Sequence, residues 1–166
     1  MKHILLALMI IGLAVAFCAC NVPVDTPPEK DVTEAPPELQ IYINEEEAFV
    51  FLKPRTYEWI IDNGDGTMTG VNADAAHPLD ALDELAAVVT SGSGAVEIIL
   101  DDGMTVTAVN RWDAAAADYD SPQEVSGEVI AADRTVYRLS VEQGWVYEIH
   151  VDFGDRGDSF YAFAAE

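Results

Sequence analysis

The stretch from Trp145 to Phe153 constrains this chain more than any other. Trp145, Tyr147, Ile149, Val151 and Phe153 alternate there with Val146, Glu148, His150 and Asp152. Successive side chains of a strand point to opposite sides, so a period of two gathers one apolar row on one face and leaves the other face mostly wet. An apolar row of that kind needs a second layer to cover it. The rest of the chain offers strands for the purpose. Leu39, Ile41 and Ile43 alternate with Gln40, Tyr42 and Asn44, Glu45-Glu46-Glu47 interrupts, and the apolar run Ala48–Leu52 follows. Thr56–Ile61 is aromatic and β-branched and runs into Asp62-Asn63-Gly64-Asp65-Gly66, residues that tolerate the backbone angles of a hairpin loop. Ala95–Leu100, Asp101-Asp102-Gly103 and Met104–Trp112 read as a second hairpin. Val125–Ala131 and Thr135–Val141 are further strand candidates, and Ser159–Ala164 pairs back as the closing strand.

One segment has a different period. Pro78–Val89 sets Leu79, Leu82, Leu85, Ala86 and Val89 at helical spacing, with Pro78 suited to a first turn and Asp80, Asp83 and Glu84 near the positive end. About eight short strands divided by Gly/Asp turns, with one helical insertion, make an all-β fold. The expectation is a two-sheet antiparallel β-sandwich, immunoglobulin-like, with one short helical segment near residues 78–89.

The chain's beginning reads as an address. Met1-Lys2-His3 is a short positive start, Ile4–Phe17 an uninterrupted apolar run, and Cys18-Ala19-Cys20 a small-residue cleavage site. The run is short for a transmembrane helix, which needs roughly 20 apolar residues. It resembles a bacterial lipoprotein signal, in which a small residue precedes the cysteine that is acylated. Ala19 before Cys20 fits that pattern and Phe17 before Cys18 does not. Residues 1–19 are therefore expected to leave, and Cys20 to become a lipid-bearing N-terminus. Residues 20–38 form an acidic spacer holding Pro23, Pro27, Pro28, Pro36 and Pro37 and no aromatic residue. Proline-rich chain is extended at about 3.1 Å per residue, so the spacer can hold a domain of residues 39–166 roughly 50 Å from a membrane.

Charge narrows the partners. Lys2 is the one charged residue before Cys20, so removing residues 1–19 leaves 7 basic against 30 acidic residues, a net of −23. Such a surface repels phosphate backbones and anionic headgroups, which excludes nucleic acid as an expected partner. Half the chain is hydrophobic, and three Trp, six Tyr and six Phe supply core material that a disordered acidic chain lacks. Both cysteines lie at or before Cys20, so the domain has no internal disulfide, thiolate nucleophile or thiolate metal site.

Several local patterns carry a family likeness. Tyr57-Glu58-Trp59 leads into the Asp62–Gly66 loop, Ala73-Asp74 is followed by His77-Pro78-Leu79, and then come Arg111-Trp112, Gly144-Trp145-Val146-Tyr147-Glu148 and Phe160-Tyr161-Ala162-Phe163. In this order they resemble a domain of unknown function in lipoproteins of Gram-positive, largely gut-dwelling bacteria, over most of residues 39–166. Arg55 and Glu58 depart from it, standing where Gly and Ser are expected. The resemblance implies an anchored extracytoplasmic module and brings no activity with it.

The chemical inventory is thin. An EF-hand loop wants oxygen ligands at its first and twelfth positions; with Gly66 as the sixth, those positions are Ile61 and Asn72. Asp62 and Asp65 are thus better read as hairpin residues than as calcium ligands, and Asp152, Asp155 and Asp158 likewise. Asp74 and His77, with His150, could begin a zinc site, but three or four converging ligands are needed. The plainer reading has Asp74 fixing a turn and His77 packing at the start of the helical segment. Asp74, His77 and Trp112 remain as binding candidates. Arg156-Gly157-Asp158 spells an integrin-read tripeptide but sits where a glycine turn is expected anyway. No nucleophile elbow, zinc-protease motif or phosphate loop occurs, and no cofactor is called for. The expected role is a non-enzymatic, lipid-anchored domain that binds an extracellular protein or glycan. A structural or accessory module of an envelope complex, and a hydrolase using two carboxylates, are the alternatives.

Overall fold

A computed structural model describes residues 34–166 apart from positions 45, 91–92, 117–118, 120–121 and 132–133. Residues 1–33, where the signal, Cys20 and most of the spacer are expected, lie outside the described residues. Two sheets face each other. The first runs, edge to edge, β2 (Ala48–Leu52), β1 (Leu39–Ile43), β6 (Ser93–Leu100), β10 (Thr135–Glu142) and β9 (Glu128–Ala131). The second runs β4 (Met68–Ala73), β3 (Tyr57–Asp62), β12 (Gly157–Ala165), β11 (Trp145–Asp152), β7 (Thr105–Asp113) and β8 (Gln123–Glu124). A short β5 (Ala86–Val88) adds to the end of β12 and is parallel to it, while the other pairs are antiparallel. The fold is the expected all-β sandwich.

Alternation explains the core. Leu39, Ile41 and Ile43 of β1, Val96, Ile98 and Leu100 of β6, and Leu139 and Val141 of β10 point inward from the first sheet. They meet Val109 of β7, Tyr147, Ile149 and Val151 of β11, and Tyr161 and Phe163 of β12. Tyr147 and Phe163 lie directly opposite in register and stack at 5.0 Å. Each such side chain contributes about 1.5–3 kcal/mol by leaving water. The row read from Trp145 to Phe153 is the inner row, although Trp145 and Phe153 at its ends are half-buried.

Four expectations need correction. Asp101-Asp102-Gly103 reverses the chain but makes no hairpin. β6 and β7 belong to different sheets, and the turn, with Gly103 at φ 86° and Met104 N–H donating to Asp101 O at 3.1 Å, is a corner between layers. The strand expected over Val125–Ala131 starts three residues later, as β9 (Glu128–Ala131), because residues 125–127 carry the chain from β8 in the second sheet to β9 in the first. The short helical segment is present, as a 3₁₀ turn over Pro78–Glu84, but it ends before Val89: Leu85 is extended and Ala86–Val88 becomes β5. Three residues per turn bring Pro78 and Ala81 to one buried face, leaving Leu82 and Val89 exposed. The unpaired edge of β12 then offers hydrogen bonds that a continued helix could not use. Finally, the outer row of β11 is only partly wet. Val146 is fully buried beside Trp112 of β7, Glu148 and His150 are half-buried, and only Asp152 is exposed. The 3₁₀ turn packs on β11 and β12 from that side.

The last spacer residues join the domain. Pro36 is buried, and Tyr161 Oη donates to Pro37 O at 2.7 Å. Burial of Tyr161 pushes its phenol well above the usual range.

Candidate interaction surface

The structure brings two of the three binding candidates together. His77 caps the 3₁₀ turn, its Nδ1 accepting from Leu79 N–H at 3.2 Å. Its ring meets Trp112 edge-on at 4.9 Å and stacks on Tyr119 at 4.6 Å. Trp112 Nε1 donates to Tyr119 O at 3.1 Å, and the Tyr119 hydroxyl donates to the Asp80 carboxylate, which raises the phenol's pKa. These polar atoms are spent on each other. The cluster fastens the 3₁₀ turn and the loop after β7 to the outer face of the second sheet, which is a packing role. Asp74 is exposed and outside the cluster; the turn there is held by Thr56, whose Oγ1 accepts from Ala75 N–H at 3.3 Å.

The acidic loops are occupied by their own backbones. Asp62 accepts from Gly64 N–H and Asp152 from Gly154 N–H. Asp65 accepts from the hydroxyl and the N–H of Thr67, and these bonds hold its carboxyl below the usual range. Asp155 is exposed in a second 3₁₀ turn, Gly154–Arg156. Among the described residues no three His, Cys, Asp or Glu side chains converge on a metal position. His150 stacks on Phe160 at 4.2 Å, with Nε2 3.4 Å from Asp158 Oδ1 but out of hydrogen-bond alignment.

Arg156-Gly157-Asp158 is not displayed at a loop tip. The Arg156 guanidinium lies 4.7 Å from the Trp59 ring, and Gly157 and Asp158 begin β12, paired with Trp59 and Glu58. Gly157 has φ 109°, and a Cβ there would stand 2.0 Å from Glu58 O. Glycine is needed here for close backbone approach.

A different surface stands out, on the first sheet's outer face. Phe49 and Phe51 of β2 are 51% and 56% exposed. Tyr42 lies opposite Phe49 in register, with ring centroids 4.9 Å apart and tilted by 45°. From this aromatic end the row continues across the sheet through Glu97 to Arg138, which pair at 2.7 Å. A parallel row runs from Phe51 through Gln40, Ile99 and Val136 to Ile130. Phe51 also lines an open groove of about 250 Å³, with Lys53 on its own strand's end and Glu84 and Ala162 across from it. Among the described residues β2 pairs with β1 alone, so its other edge carries no strand partner although β5 and β12 pass near its end, and inward-pointing Val50 is only half-buried. The signal for this surface was in Ala48–Leu52. Apolar residues at both parities of one strand require either two buried faces or one exposed apolar face.

No protein-family model matches the chain, and no curated protein and no solved structure matches it.

Proposed function

We propose that this chain is a membrane-anchored, extracytoplasmic interaction module without enzymatic activity. Cys20 carries the lipid, residues 20–38 set the standoff, and the sandwich presents the outer face of its first sheet. The observation that carries this reading is the pair Phe49 and Phe51, each more than half exposed on an edge strand beside Tyr42. Exposed phenylalanines grouped on one face weaken solubility unless something covers them, so their retention favours an interaction role. The apolar run before Cys20 and the proline-rich spacer support the anchored part.

The anchor is tested by metabolic labelling with a radioactive fatty acid: wild type takes up label and C20A does not. Retention of residues 1–19 in the mature wild-type protein, read by mass spectrometry, overturns it. The interaction face is tested by comparing wild type with F49A/F51A for binding to purified cell-wall glycans and to envelope proteins. Both side chains are more than half exposed, so the variant stays folded with a small drop in urea midpoint from the lost Tyr42–Phe49 contact, while binding falls. Equal binding by the two proteins removes this face from the reading.

A further inference from the structure

We infer that the open edge of β2 pairs antiparallel with β2 of a second copy of this chain. The inference rests on reading this edge as the interaction surface, and it names the occupant. An edge strand exposes a row of unpaired backbone groups, and proteins commonly blunt such edges with charge or proline. Here the charges and the proline stand only at the two ends. Glu45-Glu46-Glu47 precedes the strand, Ala48-Phe49-Val50-Phe51-Leu52 has no charge, and Lys53-Pro54-Arg55 follows. A strand that is acidic at one end and basic at the other is complementary to itself when reversed.

A two-fold axis through Val50 makes the match specific. Phe49 then lies across from Phe51 of the second copy and Ala48 across from Leu52, while Glu47, at φ 50° where the chain enters the strand, comes near Lys53 just beyond the paired residues. Antiparallel neighbours on one face attract when both are aromatic or when they are oppositely charged. Four phenylalanines, two from each copy, would gather on the outer face with the two Tyr42 rings beside them. Lys53 is exposed and has no ion-pair partner among the described residues, so it is available for this contact. Pro54 lacks an N–H, which confines the pairing to the five residues of β2. The two first sheets would become one, continuous across the axis. A foreign partner would need the same reversed order of charge around the same apolar alternation; the chain's own β2 has it by construction. Net charge opposes the contact, because each copy without residues 1–19 carries −23, so local complementarity must supply the attraction.

The test uses the full chain in its own membranes, with cysteines placed by substitution and disulfide-linked dimer read on non-reducing gels. Residues facing each other across an antiparallel pair are close enough for a disulfide. V50C, on the axis, should cross-link well above the wild-type background, and A48C, displaced from its own copy, should not. In the V50C background, E47K sets Lys against Lys and K53E sets Glu against Glu. Each alone should lower the cross-linked fraction by about tenfold. Co-expressing the E47K and K53E copies restores both charge pairs and should restore the dimer. V50C at wild-type level, cross-linking at A48C instead, or no restoration on mixing each overturns the self-pairing. Glycan and envelope-protein binding by the Phe49–Phe51 face is read without any cysteine, so failure of either idea is visible apart from the other.

Discussion

Glu148 and Gly157 sit on the second sheet and show two ways in which one position limits the fold. The Glu148 carboxyl is held above the usual carboxylate range, chiefly by burial, with Arg55 and His150 opposing the shift. A carboxyl raised in the folded state favours folding only while protonated. Its contribution is therefore full below the ordinary carboxylate range and is lost as pH rises through the raised value. At neutral pH the ionised side chain weakens the domain. E148Q should unfold at a higher urea concentration than wild type near pH 7.5, and the gap should close near about pH 3. A gap that stays constant with pH would mean that burial is not acting on the charge. At Gly157 the limit is steric: a positive φ and a Cβ position 2.0 Å from Glu58 O leave no room for a side chain. G157A should cost about 2 kcal/mol or more in urea unfolding, since backbone strain and overpacking add there. An unchanged midpoint would show that β3 can move away from β12.

At the scale of elements, the folded unit begins before β1. A chain starting at Glu38 loses buried Pro36 and the Pro37 carbonyl and leaves the Tyr161 hydroxyl without its acceptor. Compared with a chain starting at Glu34, it should be less stable by about 1–3 kcal/mol, measured by urea midpoint. Equal midpoints would place Pro36 and Pro37 outside the folded unit. The strands themselves were legible because alternation and β-branching act within a few residues. The row Tyr147, Ile149, Val151 could be read from its spacing alone, and so could the Asp62–Gly66 hairpin between β3 and β4. What could not be read is which layer a turn leads to. Asp101–Gly103 and Gln143–Gly144 carry the same signal as a hairpin loop, yet both connect opposite sheets, because the choice depends on pairing partners far along the chain. The helical turn expected from Pro78 is present over Pro78–Glu84, but it stops short of Val89 for the same reason, as the edge of β12 captured the second half of that segment. Of the binding candidates, His77 and Trp112 do meet, in a contact that serves packing, while Asp74 stands apart. Phe49 and Phe51 were visible as an apolar run, while their exposure depends on nothing covering that face among the described residues.

For the whole molecule, β12 is the strand on which the second sheet depends. It pairs with β11 along its length, with β3 through Gly157–Ser159, and with β5 through Phe163–Ala165, while Phe160 bonds to Arg55 and Thr56 between them. Its partners come from residues 57–59, 86–88 and 146–152. The sandwich thus joins early and late parts of the chain, and contacts of such long sequence separation form slowly. Synthesis runs in the other direction from this dependence. Until residues 157–165 have left the ribosome, β3 with β4, β5 and β11 have no common neighbour, and Tyr161 and Phe163 are missing from the core. A chain that cannot close its second sheet before residues 157–165 are made keeps the inner rows of both sheets uncovered until then.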